Sequence, residues 1–315
     1  MAQNPVFDRG VQAYKAGDYL AAVAAFDEVY RTNPQPVVLR NRGLSYFKAK
    51  DYRRAIVDFE ALSKQTQLAD DLVMYGNALD NGGRYPEAIA VYQRAAALPP
   101  GELSAWTEMG KAHFRAGQFS LAADAHAKAA IAKPADPTVQ LSLGDALYKA
   151  GRYPEALTAY RAATRLQPSN SAGWRMIGNT QLKLNDRAGA LESFDRALAI
   201  EPGNYDNNIA KGVQLYNSKD YAGAAIYYRR ATQAQPKMAT AHAYLGDALR
   251  LNKDLAGARQ AYEAALALDA KQTLALKGLI PILIQTGDPA AARRRIDQLQ
   301  PLDAEAAARY RAMLL

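Results

Sequence analysis

Apolar residues recur along most of the chain at steps of three and four positions, in blocks separated by short polar breaks. In LSLGDALYKAGRYPEALTAYRAATRLQP (141–168), one block ends at Gly-Arg-Tyr and a second block follows it directly. This spacing places the apolar side chains on one face of a helix. The pattern therefore predicts an all-α chain built from pairs of amphipathic helices.

The helix pairs form a repeat. Glycine recurs at steps of 33, 33 and then five times 34 residues: Gly10, Gly43, Gly76, Gly110, Gly144, Gly178, Gly212 and Gly246. Twelve positions after each glycine stands an alanine: Ala22, Ala55, Ala88, Ala122, Ala156, Ala190, Ala224 and Ala258. Sixteen positions after it stands an aromatic residue, with His126 as the exception: Phe26, Phe59, Tyr92, Tyr160, Phe194, Tyr228 and Tyr262. A period in this range indicates a stacked solenoid.

Each of these columns has a physical interpretation. We expect the glycine of the first helix to face the alanine of the second, because two small residues let helix backbones approach closely. The aromatic residue is then expected to fill the gap between one repeat and the next. Proline closes most repeats, where it ends the second helix.

The combined columns resemble the tetratricopeptide repeat family, most clearly in 106–134 and 141–168, and the resemblance covers roughly residues 3–270. It implies a right-handed superhelical solenoid of stacked antiparallel helix pairs. We assign eight such pairs to residues 1–272. Segment 273–315 is interpreted as a degenerate ninth repeat followed by a C-terminal capping helix, because terminal repeats must cover an exposed core face.

Composition excludes several classes of protein. The 315 residues carry a net charge of +8 and no cysteine, which excludes a disulfide framework, a zinc finger and a thiol nucleophile. The first residues lack the apolar core of a signal peptide, and no run of about eighteen apolar residues could span a membrane. We therefore expect a cytoplasmic protein without a membrane segment.

No pattern of residues indicates catalysis. The three histidines, His113, His126 and His242, stand where the repeat expects core or near-core residues. Two histidines of one repeat without a third ligand make a poor metal site. The glycines pack helices and open turns, so they do not form a phosphate-binding loop. We expect no enzymatic activity, no cofactor and no bound metal.

The resemblance places the first helix of each repeat on a concave groove. The groove columns lie three residues before the repeat glycine and one, four and five residues after it. Their aromatic and cationic members include Tyr14, Lys15, Phe47, Lys48, Phe114, Arg115, Tyr148, Lys149 and Tyr216. Rings offer contact area at low entropic cost, and cations select acidic or carboxyl-bearing chains. Tyrosine followed by lysine is also ordinary for the family, so the same residues are open to a purely structural interpretation.

A sharper binding mode of the family is the two-carboxylate clamp, which grips the free C-terminus of a peptide. Arg40, Asn77 and Lys111 occupy three of its five places, whereas Leu44 and Thr107 break the other two. A further polar pair in the same columns is formed by Arg175 and Asn179.

Three functions remain open. The leading hypothesis is a scaffold or adaptor that holds an extended peptide or a partner's helix in the groove. The second is a basic solenoid that binds RNA, which the net charge favours. The acidic third repeat and the lack of regular base-reading side chains argue against nucleic acid.

The third hypothesis is an assembly subunit that associates with itself through the apolar C-terminal repeat. Segment 273–286 is apolar nearly all round, so it needs cover on more than one side. Leu251, Leu274 and Ile284 are expected to form a hydrophobic pocket or dimer contact at that end of the groove. The alternative is that the last helix folds back and covers them.

Overall fold

The computed structural model describes residues 4–314, and this part of the chain consists of nineteen α-helices without a β-strand. Nine of them are the first helices of successive pairs: α1 (Pro5–Lys15), α3 (Pro36–Lys48), α5 (Ala69–Asn81), α7 (Glu102–Arg115), α9 (Pro137–Lys149), α11 (Ser171–Lys183), α13 (Tyr205–Asn217), α15 (Ala239–Leu251) and α17 (Thr273–Gln285). The second helices are α2 (Tyr19–Thr32), α4 (Tyr52–Thr66), α6 (Tyr85–Ala96), α8 (Phe119–Ala132), α10 (Tyr153–Leu166), α12 (Arg187–Ile200), α14 (Tyr221–Ala234), α16 (Leu255–Leu268) and α18 (Pro289–Leu299). Helix α19 (Ala304–Ala312) ends the described chain. None of these helices is long and apolar enough to cross a membrane.

The described chain forms two compact units, residues 4–166 with α1–α10 and residues 167–314 with α11–α19. Within each unit, a first helix packs against its own second helix, which packs against the next first helix. This is the packing of helix pairs that the repeat predicts, and the all-α fold class is confirmed. The eight-pair solenoid over 1–272 stays a prediction about domain organisation.

The turn inside each pair requires one residue in the left-handed region. It lies seven positions after the repeat glycine, and its φ is 82° at Gly17 and 78° at Gly83. Lysine adopts the same conformation in three repeats, with φ of 61° at Lys50 and 67° at Lys219 and Lys253. The next residue is frequently an aspartate whose side chain accepts a backbone N–H of the second helix, as Asp18 does from Ala21 at 3.0 Å. The turn therefore stops one helix and caps the next.

The small-residue columns pack differently from the sequence-based expectation. A Cβ placed on Gly178 would lie 2.6 Å from the ring of Phe194, and one on Gly43 would lie 2.8 Å from the ring of Phe59. The same holds for all eight repeat glycines, each of which lies under the residue sixteen positions later. The expectation that glycine faces alanine is therefore wrong, because the aromatic ring packs on the glycine of its own pair. The rings of Tyr228 and Tyr262 also contact the following first helix, at Tyr244 and Gly278, as expected for residues that fill the gap between repeats. The alanine column is fully buried in the core.

Helix α19 packs against α17 and α18 at the C-terminal end. Ala306 and Ala307 of this helix are buried, and the hydroxyl of Tyr310 donates to the backbone oxygen of Lys277 in α17 at 3.1 Å. Lys277 also pairs with Asp303, the residue that caps α19. Met313 is 55% exposed and contributes little to this cover.

Candidate functional site

The first helices of the N-terminal unit are linked to one another by ion pairs to buried carboxylates. Arg40 of α3 donates two hydrogen bonds to the buried carboxylate of Asp71 in α5, at 2.9 and 2.8 Å. Arg115 of α7 pairs with the buried Asp80 of α5. Burial raises the pKa of Asp80, and the guanidinium of Arg115 counteracts that shift. These links place α3, α5 and α7 side by side, and we call the surface formed by α1, α3, α5, α7 and α9 the first-helix face.

The predicted groove rings pack against aromatic residues of the following helix. Tyr14 lies edge-on to Tyr19 with ring centroids 5.5 Å apart, and the other pairs are Phe47–Tyr52, Phe114–Phe119, Tyr148–Tyr153 and Tyr216–Tyr221. Each predicted ring is half-buried. These side chains therefore brace the turn of their own pair. The sequence carries a signal for this arrangement, because in five repeats an aromatic residue four places after the glycine accompanies one nine places after it.

The cations of the predicted groove fall into two groups. Lys15, Lys48 and Lys149 are exposed, and none of them forms an ion pair with another residue between 4 and 314. Arg115 is instead held by Asp80. The three lysines lie at the C-terminal ends of α1, α3 and α9. They are the cations of the first-helix face that remain available to an external acid.

The three residues at the clamp positions each have a partner inside the chain. Arg40 is held by Asp71 as described, and Lys111 pairs with Glu108 at 2.7 Å. Asn77 accepts a hydrogen bond from the hydroxyl of Tyr92 at its Oδ1, 2.7 Å away. To grip a peptide carboxylate, Arg40 would have to exchange a buried, bidentate partner for the ligand.

In the C-terminal unit, Arg175 lies 4.0 Å from Asp206 of the next first helix. The amide nitrogen of Asn179 lies 4.0 Å from the sulfur of Met176. Both side chains are half-buried. Both residues belong to helix α11. Their polar contacts are longer than the two hydrogen bonds that Arg40 donates to Asp71.

A cavity of about 210 Å³ lies between α13, α14, α15 and α17. Its walls are Val213, Tyr216, Tyr228, Tyr244, Asp247 and Leu274. Asp247 accepts hydrogen bonds from Arg250 at 2.6 Å, from Tyr262 at 3.1 Å and from the hydroxyl of Tyr216. Of the three residues predicted as a hydrophobic contact, Leu274 reaches this cavity, while Leu251 and Ile284 are half-buried outside its lining.

A second cavity, of about 260 Å³, opens on the first-helix face between α7 and α9, with α8 beneath it. It is lined by Lys111, Phe114, Arg115, His126, Ser142 and Asp145. His126 is 2% exposed, and its Nδ1 has no hydrogen-bond partner among the described residues. Burial and the charge of Lys111 lower its pKa to about 4, so the ring is neutral at pH 7. The sequence marked this place as the exception in the aromatic column but gave no sign of a cavity.

The other histidines are engaged elsewhere. His113 is buried, with its Nδ1 2.7 Å from Oε1 of Gln118, and Nε2 of His242 lies 2.9 Å from the backbone oxygen of Pro236. Between residues 4 and 314, no three side chains of His, Asp or Glu are grouped so that they could hold a metal ion.

Comparison with known proteins identifies structures of similar fold and a matching family model. A search of curated proteins found no significant match. Among solved structures, the C-terminal part of a TPR repeat-containing protein from Cytophaga hutchinsonii is 21% identical, with a TM-score of 0.60, and the alignment covers 87% of this chain and 99% of that one. The TPR protein YrrB is 19% identical over 60% of this chain and 99% of its own, with a TM-score of 0.53. At these identities the likeness establishes the fold alone.

The family model for the tetratricopeptide repeat matches residues 7–69, 73–138, 141–205 and 209–273, which together make up most of the sequence. These ranges contain all eight repeat glycines and the aromatic rings that pack on them. The chain therefore belongs to the tetratricopeptide repeat family.

Proposed function

We propose that this protein is a non-enzymatic interaction scaffold that binds an extended, acidic peptide segment of a partner protein on the first-helix face. The observation that carries the proposal is the set of exposed, unpaired lysines on that face, Lys15, Lys48 and Lys149. The other cations on this face that the sequence predicted as binding residues already have carboxylate partners within the chain. An acidic ligand would find its free counter-charges at these three lysines.

The family supports a protein or peptide as the partner. YrrB, which shares the fold, is described as a TPR protein with an unusual peptide-binding site. A peptide role for the present chain is proposed by analogy with that protein. The choice of an acidic peptide comes from the charges of this chain.

An internal acidic segment fits better than a free C-terminus. Breaking a buried, bidentate arginine–carboxylate pair leaves an uncompensated charge and costs several kcal/mol. A clamp built on Arg40 would incur this cost at Asp71. Contacts to exposed lysines require no such exchange, although each contributes only about 0.2–1 kcal/mol and weakens with salt.

Selection from a random peptide display library against the full chain tests this proposal. The selected peptides are expected to be rich in Asp and Glu at internal positions, and hydrogen exchange is expected to show protection on α1, α3 and α9. Protection confined to the second helices would contradict the proposal. Enrichment of RNA over peptides in a parallel selection would favour the basic nucleic-acid binder instead.

A further inference from the structure

The cavity above His126 lies in a repeat that lacks a hydrogen bond found in the third and fifth repeats. In the third repeat the hydroxyl of Tyr92 donates to Asn77, and in the fifth that of Tyr160 donates to Asp145 at 2.6 Å. Both pairs join the residue after the repeat glycine to the aromatic residue of the second helix. In the fourth repeat these two places hold Lys111 and His126.

The fourth repeat has a cavity on the first-helix face at these two residues. Imidazole packs on Gly110 as the phenol rings pack on their glycines, with ring atoms 2.6 to 2.7 Å from a Cβ placed there. It lacks the hydroxyl with which tyrosine reaches across to the first helix. The cavity of about 260 Å³ lies where Lys111 and His126 meet the next first helix, and its volume is large enough for an amino-acid side chain.

The floor of the cavity is an incomplete hydrogen-bonding site. His126 is 98% buried, and its Nδ1 finds no partner in residues 4–314. A buried polar atom without a partner is unfavourable, and a ligand atom that reached it would supply the missing hydrogen bond. Because the ring is neutral at pH 7, it offers one N–H donor and one acceptor nitrogen, whichever tautomer is present.

We infer that this cavity receives the side-chain carboxamide of a glutamine or asparagine in the bound peptide. The inference rests on the proposed peptide-binding function and adds a specificity pocket to it. A carboxamide carries two N–H donors and one carbonyl acceptor. The walls match this mixture, because Lys111 and Arg115 donate, Asp145 accepts, and Ser142 and His126 can each do both.

The local charges disfavour a carboxylate in this cavity. Its two cations, Lys111 and Arg115, are already paired with Glu108 and Asp80, and Asp145 adds a third negative charge. An aliphatic side chain could contact Phe114 but would leave the polar groups of the lining unsatisfied.

The three histidines of the chain make a direct measurement possible. Imidazole signals in NMR spectra of the full chain can be assigned with single substitutions and followed during titration with N-acetyl-glutamine amide. The His126 signals are expected to shift while those of His242 remain in place. N-acetyl-glutamate amide, at the same pH and ionic strength, is expected to bind about tenfold more weakly, the equivalent of 1.4 kcal/mol.

A double variant supplies the matched control. Lys111→Asn with His126→Tyr recreates the pair that Asn77 and Tyr92 form in the third repeat, so it should fold and fill the cavity. Circular dichroism melts establish that it is folded. Assigned methyl signals around the cavity, followed in both proteins, are expected to respond to the glutamine probe in the wild type and to remain unchanged in this variant.

Three results would overturn the inference: equal or tighter binding of the glutamate probe, no shift of His126 with either probe, and an undiminished response in the filled variant. These results are separable from failure of the proposed function. Peptides that bind the first-helix face with no preference for glutamine or asparagine would leave the scaffold intact and remove the pocket. If the cavity responds to the glutamine probe but the library yields no binding peptide, the pocket stands and the scaffold function is contradicted.

Discussion

Each repeat glycine packs directly against the side chain sixteen positions later, as Gly178 does against Phe194. A larger residue at the glycine position would therefore destabilise the helix pair. Adding one methyl group at Gly178 would place a carbon 2.6 Å from the ring of Phe194, which is fully buried and has no room to move. We predict that Gly178→Ala lowers the free energy of unfolding by roughly 1–3 kcal/mol. Urea denaturation followed by circular dichroism measures this change.

Gly203 provides the control for that substitution. A Cβ at Gly203 meets nothing within 4 Å, and the residue lies in the turn between α12 and α13. Gly203→Ala is therefore expected to leave the denaturation midpoint unchanged. Equal effects of the two substitutions would show that the ring does not rest on Gly178.

His126 makes stability depend on pH. Its pKa falls from 6.5 to about 4 on folding, so between these values the unfolded chain binds a proton that the folded chain does not. The free energy of unfolding should then decrease as the pH is lowered through this window, by up to about 3 kcal/mol. Denaturation curves at pH 7.5 and pH 5 test the first part of this decrease.

The contribution of His126 is isolated by His126→Phe, since phenylalanine occupies the same column at Phe26 and Phe59. Asp58 and Asp80 have raised pKa values and therefore change stability with the opposite sign in acid, in both proteins. The wild type should lose more stability than the variant between pH 7.5 and pH 5. Parallel pH profiles would mean that His126 is not buried as described.

At the scale of single residues, the sequence predicts which positions belong to the repeat. It does not predict which residues those positions contact. The glycine and aromatic columns were visible, but their contact was not, because spacing along a chain does not say which column packs on which. Arg40 illustrates a second limit, since its partner Asp71 is 31 residues away on the next first helix. Such a pair depends on how two repeats are superposed, which a single sequence does not encode.

The turn within each helix pair offers a test at the level of elements. Lys50 holds a left-handed conformation that glycine adopts without strain at Gly17 and Gly83. Lys50→Gly is expected to stabilise the protein by up to about 1 kcal/mol, and Gly83→Ala to destabilise it by a similar amount. Thermal melts of both variants, compared with the wild type, should shift in opposite directions. Two shifts of the same sign would contradict this account of the turn.

Removal of helix α19 distinguishes two interpretations of the C-terminal repeat, one in which the helix is a cap and one in which the repeat is a surface for self-association. Its buried residues Ala306 and Ala307 pack at the end of the chain where α17 contributes Leu274 and Ile284. Removing residues 302–315 should therefore expose apolar surface and promote self-association, measured by sedimentation velocity. If the full-length chain is a monomer while the truncated chain associates, α19 is a cap and the contact proposed for Leu251, Leu274 and Ile284 does not exist.

The helices themselves were largely predictable from the sequence, because glycine, proline and the apolar period mark the start and end of each pair. The links between first helices were not, since Asp71 and Asp80 look like ordinary polar positions of a helix and are in fact buried. The cavity above His126 could not be predicted from the sequence either. Its lining combines residues of the fourth repeat with Ser142 and Asp145 of the following repeat.

Across the whole molecule, ion pairs within the chain leave the net charge of +8 unchanged but determine which cations a ligand can contact. Many cations are neutralised in ion pairs within the chain, among them Arg40, Arg42 and Arg115. The net positive charge attracts acidic partners at long range, and this attraction should weaken as salt screens it. Specific binding would depend on where the unpaired lysines lie.

A matched pair of charge-reversal variants tests the central claim most directly. Lys48→Glu with Lys149→Glu alters the first-helix face, whereas Arg53→Glu with Arg161→Glu makes the same change of net charge on exposed positions of α4 and α10. The measurement is the affinity of one selected acidic peptide for both variants by isothermal titration calorimetry. The scaffold account predicts a loss of at least about tenfold for the lysine variant and little change for the arginine variant. Equal losses in the two variants would contradict binding on the first-helix face.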